Sequence, residues 1–272
     1  MTLSSQLSRT YRVWIVRGTI VLLFLTAQSQ KPIQAFGGSG PYNHTVITHL
    51  ALDRYMQDHD VFVSPVCQEL IVQSAVVSDS SYHSGQDMYH CDNNNIAGCS
   101  YKLDELTLEA RNSATSIESL QRMGQALHII QDFYSHSNWP EIMSISMILA
   151  PIEDFKDIPP PHDLQTGIYP DPLNGNPELA FLCFLNPESN WSHFIPGATH
   201  GCLNKDTRRS LRGATLVPLG GGMDFHRLAA EYAIRHSVKK FEEWENTNGH
   251  FQICLGRPPV AAFGCNIKKF HF

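Results

Sequence analysis

His128, Asp132 and His136 recur at every fourth residue of "ALHIIQDFYSHSNWPE", residues 126–141. On a helix that spacing stacks the three side chains on one face, with about 6 Å of rise between neighbours. A carboxylate between two imidazoles suits metal ions. Its two oxygens can bridge two cations, each flanking imidazole can serve a different one, and metals about 3.5–4 Å apart jointly activate a water. The competing reading is a solvated helix face with two surface histidines. Phe133, Tyr134 and Trp139 beside the stripe either line a cleft or, more simply, fill the core.

Further donors lie elsewhere in the chain. His44 sits in "PYNHTVITHLAL", Asp79 in "VVSDSSYH", His90 in "MYHCDNN", His200 in "ATHGC", and His226 opens a late helical stretch. Asp87 and His83 are alternatives to Asp79, because loop spacing there fixes nothing. His49 lies one turn and a residue past His44 and is expected at the surface or behind the ligands.

Helices must carry these groups. Apolar residues at helical spacing predict one over 44–58 and a second over 65–77, which opens on Pro65. A long helical stretch runs from about Leu103 to Tyr134 with a break near Ser113, and periodicity returns from Asp224 to Trp244. Residues 78–100 are rich in Ser, Asn, Asp and Gly and read as loop. Residues 151–222, with "DIPPPHDLQTGIYPDPLNGNPE" and "LVPLGGG", exclude long helices and central strands. A loop region of that length is functional or wraps a core. The fold class is therefore all-α: a single helical domain with long irregular loops.

The first 35 residues differ from the rest. Arg9, Arg12 and Arg17 precede "GTIVLLFLTA", and "QSQKPIQA" follows. This is the layout of a secretory signal, too short for a comfortable membrane span of about 20 residues. The expected organisation is a signal peptide at 1–35, a zinc-binding helical domain at 36–249 and a tail at 250–272. Cleavage after Ala35 leaves Phe36 with a free α-amine, which can chelate zinc together with its carbonyl oxygen. Removing Arg9, Arg12, Arg17 and Lys31 leaves 16 basic against 26 acidic residues, a net charge of about −10. Such a protein has no general basic surface for nucleic acid, so a phosphate-bearing ligand needs local positive charge, which metal supplies.

Seven cysteines are Cys67, Cys91, Cys99, Cys183, Cys202, Cys254 and Cys265. An exported protein forms disulfides, and an odd count leaves one thiol over. Cys91 with Cys99, and Cys254 with Cys265, lie closest in sequence, and no CxxC pair suggests a thiolate zinc site. Sequons stand at Asn43 and Asn190, of which Asn190 is the better glycan candidate.

Taken in order, "ALHIIQDFYSHSNWPE", "YHCDNNN", "THGCLNKDT" and "HRLAAEYAIRHSVKKF" resemble the N-terminal domain of von Willebrand factor A domain-containing protein seven. They are also similar to the heterokaryon-incompatibility C family, within the zinc-dependent phospholipase C and single-strand nuclease superfamily. The resemblance spans roughly residues 36–246. It implies an all-α fold with two or three zinc ions and the mature N-terminal residue as a ligand. Phe36, His44 and Asp132 would hold one zinc. Asp79, His90, His128 and the bridging Asp132 would hold a second, and His136 with His226 a third. The late helix departs from the family pattern. Ala229 and Ala230 stand where the enzymes carry an acid, and His200 is the candidate replacement.

Two functions follow as expectations. One is a secreted zinc hydrolase acting on phosphodiester or phospholipid substrates, with Asp79 as catalytic base. The alternative is a non-catalytic, metal-stabilised extracellular interaction module.

Overall fold

The structure, a computed structural model, describes residues 41–79, 83, 85–145, 163–168, 198–218 and 220–256. The chain divides into Met1–Lys31 and Pro32–Phe272, and every described residue lies in the second unit. The expected signal segment, Phe36, Asn190, Cys183, Cys265 and the end of the tail fall outside the described residues.

The described residues are mostly helical. In chain order they form α1 (His44–His59), β1 (Phe62–Val63), α2 (Pro65–Val77), α3 (Asp87–His90), α4 (Ile96–Asn112), α5 (Ser116–His136) and α6 (Trp139–Ile145). There follow α7 (His200–Leu203), α8 (Phe225–Thr247), α9 (Gly249–Cys254) and β2 (Leu255–Gly256). The strands form one antiparallel pair, Phe62 opposite Gly256 and Val63 opposite Leu255. Beside it, a disulfide joins Cys67 near the start of α2 to Cys254 at the end of α9. Cys254 therefore pairs across the fold, 187 residues away, and not with Cys265. Cys91 does bond to Cys99, and Cys202 is also in a disulfide.

Helices α1, α2, α4, α5, α7, α8 and α9 each start where a polar side chain caps them. Asn43 accepts from Val46 N–H, Ser64 from Cys67 ahead of Pro65, and Asp224 from Arg227. Asn43 thus spends its carbonyl oxygen on α1. The expected break near Ser113 is real: α4 ends at Asn112, and Thr115 caps α5 by accepting from Glu118. Thr115 and Glu118 have the spacing of a capping box. Two expectations change. Residues 87–90 and 96–100 are helical where the polar composition reads as loop, and α5 runs one half-turn further, to His136.

Helix α5 is the axis of the molecule. From Ala126 to His136 every side chain is buried, because α2, α4 and α8 pack around it and residues 163–168 and 198–206 close over its C-terminal end. Those two segments join by an Ile168–Thr199 bridge, and Thr166 bridges to Ser137 just past α5. Gly124 makes the closest approach possible: a Cβ there would collide with the Ile71 carbonyl of α2. Gly124 lies one helical step before His128, on the same face of α5. The contact that demands a glycine therefore also draws the end of α2 toward the histidine stripe.

Candidate metal centres

The stripe is not a solvated face. His128 and Asp132 are fully buried and His136 is 1% exposed. Phe133, Tyr134 and Trp139 all belong to the main hydrophobic core.

The upper half of the stripe meets α1, the end of α2 and α3. Donor atoms of His44, Asp79, His128 and Asp132 all lie within 4.8 Å of one another. His44 Nε2 is 3.3 Å from Asp132 Oδ1 and 3.6 Å from Asp79 Oδ2. His128 Nε2 is 3.0 Å from Asp132 Oδ2 and 3.8 Å from Asp79 Oδ1. His90 joins from α3, its Nδ1 2.8 Å from Asp132 Oδ2 and 3.2 Å from His128 Nε2. Donors around a tetrahedral zinc, with bonds near 2.0–2.1 Å, stand roughly 3.3–3.4 Å apart, close to these separations.

Each imidazole is turned by a hydrogen bond at its far nitrogen. His44 Nδ1 is 2.7 Å from Gln131 Oε1, and Gln131 in turn donates to Thr48 Oγ1. His128 Nδ1 is 2.8 Å from the Ala75 carbonyl, and His90 Nε2 is 3.1 Å from the His83 carbonyl. An imidazole that donates at one nitrogen presents a lone pair at the other, the arrangement typical of metal-bound histidine. Here the other nitrogens all turn toward Asp132, and those of His44 and His128 also toward Asp79.

Those carboxylates test whether the site suits a cation. Among the described residues, no hydrogen-bond donor meets either oxygen of Asp79, and Oδ1 of Asp132 has only His44 Nε2 near it, 3.3 Å away. Burying a carboxylate so poorly served costs several kcal/mol, of order 2–7 for even a neutral polar group. Accordingly, burial and the Asp132 charge push the Asp79 carboxyl up to about 7, against the pull of His44. Burial alone would lower His44, yet Asp132 and Asp79 raise it to about 9. His128 is pushed down to about 4 by burial, despite Asp132 beside it. Such a set is matched by a bound cation, which would satisfy the carboxylates and displace the protons.

The lower half of the stripe meets two loops. Donor atoms of Asp92, His136 and His200 form a second group. Asp92 Oδ1 lies 3.3 Å from His136 Nδ1 and 3.2 Å from His200 Nδ1. On the other side, Asp206 is 3.2 Å from His136 Nε2 and 3.8 Å from His200 Nε2. Ser135 Oγ donates to Asp206, and Asp206 N–H donates to Asn204 Oδ1. Burial works against charge here too, but the paired carboxylates raise His136 well above and His200 above the usual imidazole value.

The expected residues thus sort as follows. His44, Asp79, His90, His128 and Asp132 come together, and His136 and His200 come together a turn away. His226 is outside both donor groups: its Nδ1 lies 2.7 Å from the carbonyl of Lys205, next to Asp206. Two carboxylates were not expected. Asp92 follows His90 by two residues in an H-x-D pattern, a weak but visible signal. Asp206 lies six residues past His200 in a turn, where spacing carries no signal.

Comparison with known proteins adds one finding. Residues 53–157 match the VWA7 N-terminal domain family. That stretch contains Asp79, His90, Asp92, His128, Asp132 and His136, six of the nine clustered donors, and the chain is similar to that domain over it. No curated protein and no solved structure matches.

Proposed function

We propose that the protein is an exported, zinc-dependent hydrolase of phosphodiesters, of the phospholipase C and single-strand nuclease type. The observation that carries the proposal is the division of Asp132. Its Oδ1 faces His44 while its Oδ2 faces His90 and His128, as a carboxylate shared between two cations would be placed. His44 with Asp132 Oδ1 would hold one zinc, joined by the α-amine of Phe36 if the chain is cleaved after Ala35. Asp79, His90, His128 and Asp132 Oδ2 would hold another, and His136, His200, Asp92 and Asp206 a third. Bound zinc supplies an acidified water and offsets the charge on phosphate oxygens. Asp79 has two oxygens that no donor among the described residues engages, one to hold a cation and one to take the proton of an attacking water.

Burial favours a second reading, a metal-stabilised module without catalysis. His44, Asp79, His128 and Asp132 are four protein donors, enough to close a tetrahedral zinc, and structural sites are closed. Elemental analysis of protein collected from the medium, with turnover of a chromogenic phosphodiester and of phosphatidylcholine vesicles, separates the two. Zinc with turnover that a chelator abolishes supports the hydrolase; zinc without turnover of either substrate supports the module. N-terminal sequencing of the same material should begin at Phe36.

A further inference from the structure

His90 and Asp92 serve different clusters although one residue separates them. His90 Nδ1 reaches Asp132, and Asp92 Oδ1 reaches His136 and His200. Asp132 and His136 are one helical step apart on α5, about 6 Å of rise. Two residues of extended chain span up to about 7 Å. The 90–92 segment therefore runs beside the stripe and feeds a ligand to each end. The His90 carbonyl lies 3.1 Å from His136 Nδ1, so the same residue also orients a ligand of the other cluster.

This segment is held both locally and from a distance: Asp92 N–H donates to the Asp87 carbonyl and Asn93 Nδ2 to Asp87 Oδ1. Cys91, Asn93 and Asn94 have φ of 52°, 59° and 56°, a left-handed region that non-glycine residues adopt rarely. Such backbone persists only where its surroundings over-determine it. Asn93 and Asn94 are held by segment 163–168: Asn93 N–H donates to the Gly167 carbonyl, and Asn94 exchanges hydrogen bonds with Thr166. Cys91, between the two ligands, is held covalently. Its disulfide to Cys99 in the first turn of α4 is wholly buried, and its sulfur sits 3.6 Å from the Ile129 carbonyl of α5.

We infer that the Cys91–Cys99 disulfide is a positioning element shared by the two clusters, fixing His90 in one and Asp92 in the other, so that its loss weakens metal binding at both. The inference rests on the metal-binding reading of both clusters. The disulfide touches no substrate; it acts through the two ligands that flank Cys91.

The test uses the full chain and zinc alone. Zinc release into a chromogenic chelator is followed for the native protein, for Cys91→Ser/Cys99→Ser, and for Cys67→Ser/Cys254→Ser. His44→Ala and His136→Ala assign the release phases to the first and second clusters. The expected result is faster release from both clusters in Cys91→Ser/Cys99→Ser, by roughly 10–100-fold, the usual effect of disturbing groups that orient metal ligands. Cys67→Ser/Cys254→Ser should melt at lower temperature yet release zinc at the native rate, which separates positioning from general loss of stability. Helix content by circular dichroism qualifies each variant, and Cys91→Ala/Cys99→Ala replaces the serine pair if that pair does not fold. Native release rates, or acceleration at one cluster alone, overturn the inference. If the native protein binds no zinc, the proposed function fails instead. Amide exchange at His90–Asn94 then decides: unchanged protection in the variant removes the positioning role, and lost protection upholds it.

Discussion

The two clusters are built from the same residue types on the same helix, yet they are electrostatically unlike. At the first, three imidazoles face two carboxylates, and neither oxygen of Asp79 has a donor among the described residues. Asp79 answers by holding a proton up to about pH 7. At the second, two imidazoles stand between two carboxylates, and each ring nitrogen has an acid within 3.8 Å. The second cluster can therefore balance itself as protonated imidazoles against Asp92 and Asp206, both held below the usual carboxylate range because the histidine charges outweigh burial. The first also takes up protons, on His44 and on Asp79, but the Asp79 oxygens have no donor among the described residues. Shared geometry thus does not imply shared electrostatics: every imidazole nitrogen of the second cluster has an acid beside it, whereas the first leaves carboxylate oxygens unserved among the described residues.

The largest effect should come from Asp132→Asn. An amide offers neither the charge nor a second anionic oxygen, and Asp132 touches His44, His90 and His128. Bound zinc stabilises a fold by an amount that grows with the logarithm of free zinc over the dissociation constant, about 2.7 kcal/mol at a hundredfold excess. The variant should lose the zinc of the first cluster and most of the rise in melting temperature that zinc gives the native protein. Elemental analysis beside melting curves with and without zinc checks this; native zinc content in the variant would end the bridging assignment.

Next, His128→Ala should empty the first cluster but spare the second, and Asp206→Asn should do the reverse. Metal counts for the pair show whether the clusters fill independently once the Cys91–Cys99 link is intact. Both variants losing all metal would mean a single joint site.

A third expectation concerns pH. The metal-free protein holds His44 protonated up to about pH 9, above the imidazole value of 6.5. A raised folded pKa gives stability that is complete below 6.5 and is lost as pH rises through 9. Zinc binding needs the deprotonated ring, so its contribution grows across the same interval. Melting temperatures from pH 6.5 to 9 should fall without zinc and fall less, or rise, with it. His44→Gln should flatten the metal-free slope.

The smallest effect should be that of His49→Ala. His49 is half-buried, and its ring belongs to neither donor group. Stability should change by no more than about 0.5 kcal/mol, with metal content unchanged.

Much of the first cluster was legible because helices carry it. Period-four spacing placed His128, Asp132 and His136 on one face, and the caps of α1, α2 and α8 sat near the predicted starts. Asp79 and His90 were named from residue type and from a family likeness, without a geometry that joined them to the stripe. What periodicity could not supply was the burial of that face. An H-x-x-x-D-x-x-x-H stripe reads the same on a solvated helix, and it is the packing of the surrounding helices and of segments 163–168 and 198–206 around α5 that buries it.

The sequence by itself determined the all-α class, the main helix boundaries and the His128–Asp132–His136 stripe, because each depends on side chains within a few turns of one another. The tertiary structure alone decided that Cys254 bonds to Cys67, that Asp92 and Asp206 flank His136 and His200, and that His226 Nδ1 meets the Lys205 carbonyl. Those residues sit on turns and loops, or at helix ends, whose positions are set by hydrogen bonds and disulfides to distant segments. No local period encodes such contacts, so their partners become visible only when the chain is packed.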